Sequence, residues 1–223
     1  FFMQSNKECT ICKRQSDIVA IKEIQEDQKS FTLFECNLCK GQFWSPFVNP
    51  GSEWYESGNR YATGSLLMPE VTRSYHKEFL ERYGDSLEGK SVLDVGCGTA
   101  EFLAAAKKGG AEVWGVDFDT RAIDAAKEHF NLKNVYATRL EKFLEETKGK
   151  LFDFVTCFEV IEHVDNPRLL LKQLREKVKP DGLVVLSTPS RERMLPNLNS
   201  WDFPPNHLSR WNKESLRNIL ELE

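Results

Sequence analysis

The chain has 223 residues, a formal charge of −4, 40% hydrophobic and 29% charged residues, the balance of a water-soluble globular protein. A net negative charge gives no bulk attraction to nucleic acid or anionic membrane, and no apolar run approaches the roughly 20 residues of a membrane-crossing helix. The length suits one core with a small appendage, and the expected partner is a small molecule, with no nucleic acid and no membrane. Oligomeric state is not legible.

The first predicted element is an appendage over residues 1–45. Of six cysteines, four form two C-x-x-C pairs, Cys9/Cys12 and Cys36/Cys39. No basic segment followed by an apolar one opens the chain, so this spacing reads as metal binding in a reducing cytoplasm and not as disulfides. Ile18 to Ile21 and Phe31 to Phe34 are strand-like, which makes a hairpin between two knuckles, the layout of a zinc ribbon. Four thiolates close a tetrahedral shell, so the zinc is expected to be structural. The appendage carries six basic residues (Lys7, Lys13, Arg14, Lys22, Lys29, Lys40) and six acidic ones (Glu8, Asp17, Glu23, Glu26, Asp27, Glu35), so it offers no field that would collect phosphates.

Residues 46–86 read as linker and helical cap. Trp44, Pro46, Phe47, Pro50 and Gly51 mark a turn-rich connection. Pro69 to Tyr83 is helical in period, with Val71, Tyr75, Phe79, Leu80 and Tyr83 on one face. Trp54, Tyr55, Arg60 and Tyr61 either glue the appendage to the main domain or cover a ligand; packing is the favoured reading.

Residues 87–223 alternate strand and helix, as a parallel sheet requires. Val92 to Val95 is an apolar strand interrupted by Asp94, and it runs through Gly96-Cys97-Gly98 into a helix ending at Lys108. Strand, glycine turn and helix together make a nucleotide cradle. A strand from Glu112 ends in Asp117, 19 positions after Gly98, where a carboxylate can accept both hydroxyls of a ribose. Asp119 or Thr120 caps a helix from Arg121 to Phe130. A strand (Asn134 to Thr138), a short helix (Leu140 to Lys148) and a strand (Phe152 to Cys157) follow. Asn166-Pro167 starts a helix with Leu170, Leu171, Leu174 and Val178 as its stripe. Pro180-Asp181-Gly182 is expected to turn into a last strand, Leu183 to Ser187. Ser190 to Trp211 reads as irregular, and Asn212 to Leu222 as an amphipathic helix.

In that order these residues resemble the motifs of class I S-adenosylmethionine-dependent methyltransferases of the ubiquinone-biosynthesis-like branch. Val92-Leu93-Asp94-Val95-Gly96-Cys97-Gly98-Thr99 is similar to the first motif and Gly115-Val116-Asp117 to the second. Phe152-Asp153 through Val160-Ile161-Glu162-His163-Val164 is similar to the fourth-strand motif, and Lys179-Pro180-Asp181-Gly182 to the turn before strand five. Pro204 to Trp211 resembles a segment of bacterial members that carry a four-cysteine ribbon. Ala100 stands where many members have a third glycine, and Ala137-Thr138-Arg139 lacks a frequent acid. The resemblance also leads one to expect two further strands, which this sequence does not contain.

The resemblance implies a Rossmann-like doubly wound α/β fold with a small zinc-ribbon domain, S-adenosylmethionine as cofactor, and a small-molecule methyl acceptor such as a sugar or a lipid or polysaccharide precursor. The expected cofactor residues are Asp94, Gly96, Cys97, Gly98, Asp117, Phe118, Leu140 and Phe158. Cys97 would act through its backbone N–H, and Asp94 as a buried acid that fixes the glycine turn. Candidates for a base are His163, His207 and Glu159, needed only where the acceptor must lose a proton. Glu162 is expected to orient its neighbours and Cys157 to be a small buried hydrophobe. Two other classes fit less well. A dinucleotide oxidoreductase would want glycine where Glu101 stands. A non-catalytic binding protein would have no need of Gly96, Gly98 and Asp117 together.

Overall fold

A computed structural model describes residues 4–26, 28–57, 73–193 and 202–222. In chain order the elements are β1 (Gln4–Glu8), β2 (Gln15–Glu26), β3 (Lys29–Cys36), β4 (Gln42–Ser45), α1 (Ser52–Ser57), α2 (Ser74–Tyr83), β5 (Ser91–Val95) and α3 (Glu101–Lys108). They continue with β6 (Glu112–Asp117), α4 (Thr120–Phe130), β7 (Val135–Ala137), α5 (Leu140–Glu146), β8 (Phe152–Phe158), α6 (Pro167–Lys177), β9 (Val178–Ser187), β10 (Ser209–Arg210) and α7 (Lys213–Leu220). The chain divides into two units. One holds Phe1–Pro50, Glu159–Lys172 and Thr188–Glu223; the other holds Gly51–Phe158 and Gln173–Ser187.

The second unit is a parallel sheet in the order β7-β6-β5-β8-β9. All five residues of β5 are buried, as a central parallel strand covered on both faces demands. Val92, Phe102, Leu103, Ala106 and Ile123 are inaccessible and join strands to helices in one core. The order reverses between β5 and β8, the switch point where doubly wound sheets bind ligands at the C-terminal strand ends. Asp119 caps α4 by accepting from the Arg121 and Ala122 N–H groups, and Asn131 closes that helix in a left-handed conformation. The helix expected over Pro69 to Tyr83 begins at Ser74; Val71, Arg60 and Tyr61 lie outside the described residues. Tyr75, Phe79, Leu80 and Tyr83 do share a buried face, with Phe79 against Phe102 and Phe154.

The last strand differs from its expected form. Pro180-Asp181-Gly182 does not precede it but lies within β9, whose register against β8 jumps from Phe152↔Val178 to Phe154↔Leu183. Gly182 makes this possible, since a Cβ there would lie 2.7 Å from the Asp153 carbonyl oxygen. Asp153 locks the irregularity. Its carboxylate accepts from the Ser91 N–H (2.9 Å), the Ser91 hydroxyl (2.7 Å) and Lys179 Nζ (2.8 Å). Burial pushes this carboxyl up, but the donors outweigh it and hold Asp153 well below the usual carboxylate range.

The first unit is an antiparallel sheet in the order β1-β2-β3-β4-β10. The expected strands Ile18 to Ile21 and Phe31 to Phe34 fall within β2 and β3, and Phe31, Leu33 and Trp44 form a buried cluster under Ile21, Ile24 and Phe203. Part of the segment expected to be irregular is ordered as β10, which pairs Ser209 with Phe43 and Arg210 with Gln42. A capping box between Asn212 and Ser215 starts α7. No helix of the described residues is long and apolar enough to cross a membrane.

Candidate functional site

The cysteine site is built from two matching knuckles. In each, the first cysteine's carbonyl accepts from a lysine N–H four residues on, Lys13 to Cys9 and Lys40 to Cys36, both at 2.9 Å. Both lysines take positive φ, +55° and +58°, which turns the chain back sharply. Gly41 lets the knuckles close, because a Cβ there would meet Ile11 Cδ1 at 2.7 Å. The four Sγ atoms are buried within 4.8 Å of one another, with Cys9–Cys39 at 3.9 Å and Cys12–Cys36 at 4.0 Å. A tetrahedron with metal–sulfur bonds of about 2.3 Å has edges of about 3.8 Å, so the spacing fits zinc. Arg168 donates to the Cys12 carbonyl (3.2 Å) and Arg191 to that of Lys40 (2.6 Å), so both knuckles are held from outside.

The glycine turn sits at the C-terminal end of β5. Gly96, Gly98 and Ala100 all have positive φ (+79°, +52°, +61°). Ala100 therefore occupies the third-glycine position at some backbone cost, with its methyl fully buried. The Gly96 and Cys97 N–H groups both donate to the Val116 carbonyl, at 2.8 and 3.2 Å. The Cys97 N–H, expected to face the cofactor, bonds to this carbonyl. Its side chain packs against Gly115, where a Cβ would come within 2.8 Å of Cys97 Sγ and 2.7 Å of Leu103 Cδ1. A Cβ on Gly98, by contrast, would meet nothing within 4 Å among the described residues, which leave the space in front of the turn open.

Asp117 closes β6 beside this turn. One oxygen accepts the Gly98 N–H and the other the Asp119 N–H, each at 2.9 Å. A carboxylate has about four acceptor positions, so acceptor capacity remains. Burial pushes Asp117 up, while the backbone N–H groups of Asp119, Gly98 and Phe118 pull it back. Phe118 follows with its side chain 39% exposed and its ring 5.5 Å from that of Tyr55, an aromatic surface next to the acid. Leu140 is half-buried at the first position of α5.

Two further expected cofactor residues, Phe158 and Asp94, make contacts within the fold. The Phe158 ring is 8% exposed and lies in the core, 5.0 Å from Phe102 and 5.6 Å from Tyr75. The Asp94 Oδ1 accepts the Thr156 hydroxyl at 2.7 Å, bridging β5 to β8. Burial pushes the Asp94 carboxyl up to about 7, opposed by Thr156 and helped by the Asp117 charge. Cys157 is buried, as expected. The sequence reading passed over His76, which α2 places 5.0 Å from the Phe158 ring with a buried Nδ1 that makes no hydrogen bond among the described residues. Burial, with Arg73 adding, pushes it down to about 4. Its only sequence signal was its position beside Tyr75 in a helix read as cap.

In the first unit, the chain leaving β8 turns at Glu159, which has φ +57°. The turn closes with the His163 N–H on the Val160 carbonyl at 2.9 Å, and the Glu162 carbonyl accepts from Leu208 (2.8 Å) and Ser209 (3.2 Å). His163 Nδ1 is 2.7 Å from the Asn206 carbonyl, which only accepts, so this nitrogen carries the proton and Nε2 keeps its lone pair. Nε2 lies 3.9 Å from Glu162 Oε1. The Glu162 side chain is 1% exposed, and neither of its oxygens makes a hydrogen bond among the described residues. Burial and the Glu159 charge push it up to about 8. Burial, then His207, pushes His163 down to about 3. The His207 ring crosses that of His163 at 4.8 Å between centroids, and its Nδ1 is 3.6 Å from Asp202. One donor atom each from Glu162, His163 and His207 falls within 4.8 Å, a carboxylate and two imidazoles able to hold a divalent cation.

A parallel sheet with a glycine turn after its first strand and an acid at the end of its second is the arrangement of nucleotide-binding α/β folds. The chain belongs to the methyltransferase domain family, whose model matches residues 68–222. It is 44% identical over 117 residues to the mitochondrial ubiquinone biosynthesis O-methyltransferase of Schizosaccharomyces pombe, covering 51% of this chain and 42% of that protein. It is 32% identical over 164 residues to the ubiquinone biosynthesis O-methyltransferase of Coxiella burnetii, covering 72% of this chain and 66% of the other. The chain thus spans 42% to 66% of the length of these curated relatives. The crystal structure of a SAM dependent methyltransferase from Archaeoglobus fulgidus superposes with a TM-score of 0.57 at 28% identity, covering 75% of this chain and 72% of that one.

Proposed function

We propose that this protein is an S-adenosylmethionine-dependent methyltransferase that acts on an oxygen atom of a small molecule. The observation that carries the reading is Asp117, held by two backbone N–H groups with acceptor capacity to spare, beside the open face of Gly98. In this reading Asp117 takes the ribose hydroxyls, Gly96 to Gly98 let backbone approach the nucleoside, and Phe118 covers the base. The bound cofactor supplies an electrophilic methyl group on a sulfonium centre, so the protein mainly orients and desolvates. The names of the relatives favour an oxygen acceptor; a sugar or a lipid or polysaccharide precursor stays within the proposed class.

The expected bases are read differently. A histidine held neutral down to about pH 3 is a weak proton acceptor. An Nδ1–H bonded to a backbone carbonyl is how a metal-ligating imidazole is oriented. Glu162, His163 and His207 hold a divalent cation in this proposal, and a bound cation would lower the pKa of a hydroxyl that it ligates. Glu159 borders them. Cys9, Cys12, Cys36 and Cys39 hold structural zinc.

The test is release of S-adenosylhomocysteine across a panel of hydroxylated acceptors, with magnesium, manganese or neither. Turnover that Asp117→Ala abolishes and that a chelator too weak to strip thiolate-bound zinc suppresses supports the reading. Turnover unchanged in Asp117→Ala contradicts it.

A further inference from the structure

Two stretches of the first unit carry the Glu162, His163 and His207 cluster: the turn from Glu159 to His163, and the segment that runs from Asp202 into β10. Four successive carbonyls of the turn have their partners in this unit. Val160 accepts the His163 N–H at 2.9 Å, Ile161 the Ser209 hydroxyl at 3.4 Å, and Glu162 the N–H groups of Leu208 and Ser209. The fourth carbonyl, on His163 itself, accepts Asn49 Nδ2 at 2.8 Å. The first three bonds are made within and between the two stretches. The bond to His163 comes from the chain just past β4.

The second stretch is held by the same part of the ribbon sheet. The Trp44 N–H donates to the Leu208 carbonyl at 2.9 Å, while the Leu208 N–H donates to the Glu162 carbonyl at 2.8 Å. One residue, the neighbour of His207, thus joins β4 to the turn that carries Glu162. Trp44 is inaccessible, its ring meets that of Phe203 at 6.0 Å, and β4 pairs with β10 directly beyond. β4 begins directly after Gly41, whose carbonyl accepts the Cys36 N–H at 3.1 Å and closes the second cysteine knuckle. From the far side of the turn, Arg168 donates to the Cys12 carbonyl of the first knuckle at 3.2 Å.

A divalent cation needs its donor atoms at fixed separations, and the groups that orient its ligands are worth about 10–100-fold in affinity. His163 is oriented twice, at Nδ1 by the Asn206 carbonyl at 2.7 Å and at its backbone by Asn49. We propose that the four-cysteine ribbon is the frame of the Glu162, His163 and His207 cation site, and that Asn49 is the positioning residue through which it fixes His163. This rests on the cation reading given above and on nothing in the nucleoside site.

The test is manganese(II) binding to the zinc-loaded full chain, followed by the electron paramagnetic resonance of the free ion. Parent, Asn49→Leu, Asn49→Gln and His207→Ala are compared. We expect about one site per chain in the parent and its loss in His207→Ala. Binding should be about tenfold weaker in Asn49→Leu, and nearer to the parent in Asn49→Gln, which keeps an amide donor. Zinc content, melting curve and S-adenosylhomocysteine affinity should match the parent's in Asn49→Leu, because a positioning role moves the manganese affinity and leaves these alone. A second measurement decides if Asn49→Leu does not fold: zinc is withdrawn from the parent with an organomercurial and then restored with thiol and zinc, and manganese binding should vanish and return. A parent with no manganese site contradicts the cation reading and this proposal with it. A parent site that persists in His207→Ala, is equally strong in folded Asn49→Leu, or survives zinc withdrawal overturns this proposal, while the S-adenosylhomocysteine titration reports on the methyltransferase reading separately.

Discussion

The Asp117 carboxylate accepts the Gly98 N–H at 2.9 Å, which ties the end of β6 to the glycine turn of β5. The acid is therefore oriented before any ligand arrives, and the turn is held in the same stroke. Both depend on Gly115, which leaves room for Cys97 and Leu103 against β6. Gly115→Ala places a methyl 2.7 Å from Leu103 Cδ1 and 2.8 Å from Cys97 Sγ. We expect a loss of about 1–3 kcal/mol in urea unfolding, the usual range for overpacking, together with weaker S-adenosylhomocysteine binding as the turn shifts.

Ala100 holds φ +61° with its methyl fully buried. The left-handed conformation tolerates alanine at a modest cost and a β-branched residue badly. Ala100→Val is expected to destabilise by more than about 2 kcal/mol, and Ala100→Gly to stay within about 1 kcal/mol of the parent. Chemical denaturation of both variants checks this.

Asp94 gives a pH signature. Burial raises its folded pKa to about 7, against an ordinary value near 4. A raised folded pKa favours the folded state most below the unfolded pKa, and that contribution is lost as pH rises through the folded pKa. Asp94→Asn keeps an acceptor for the Thr156 hydroxyl and removes the titration. Its stability relative to the parent should rise by something on the order of 2–4 kcal/mol between pH 4 and pH 8. Denaturation at several pH values would show it; a flat difference would refute the assignment.

Metal removal separates the two proposed metal sites. Purified chain should carry about one zinc per chain, released together with loss of the first unit's folded signal when a strong thiolate-competing chelator is added. Cys36→Ser should not retain zinc. Stoichiometry by plasma emission and circular dichroism during chelation give the two readouts.

Much of this was legible because the relevant signals are local. The apolar run Val92 to Val95, the glycines after it and the acid at position 117 announce a strand, a turn and a second strand end through periodicity and spacing alone, and the two C-x-x-C pairs announce their cluster. What was not legible depends on contacts distant in sequence. β10 is two residues long, and only its pairing with Phe43 and Gln42 makes it a strand. The place of Pro180-Asp181-Gly182 inside β9 depends on Asp153 and Lys179. Asp94 reads as a neighbour of the glycine turn, but a strand side chain points across the sheet, and it meets Thr156 on β8. Phe158 stands at a ligand-binding strand end, but its ring turns into a pre-existing aromatic core.

The central claim is that the β5 turn and the β6 acid together hold an adenosine moiety. Calorimetric titration of S-adenosylhomocysteine into the parent and into Asp117→Ala tests it most directly. The account predicts one saturable site in the parent and at least a tenfold weaker one in the variant. No binding to the parent, or equal binding to both, would contradict it.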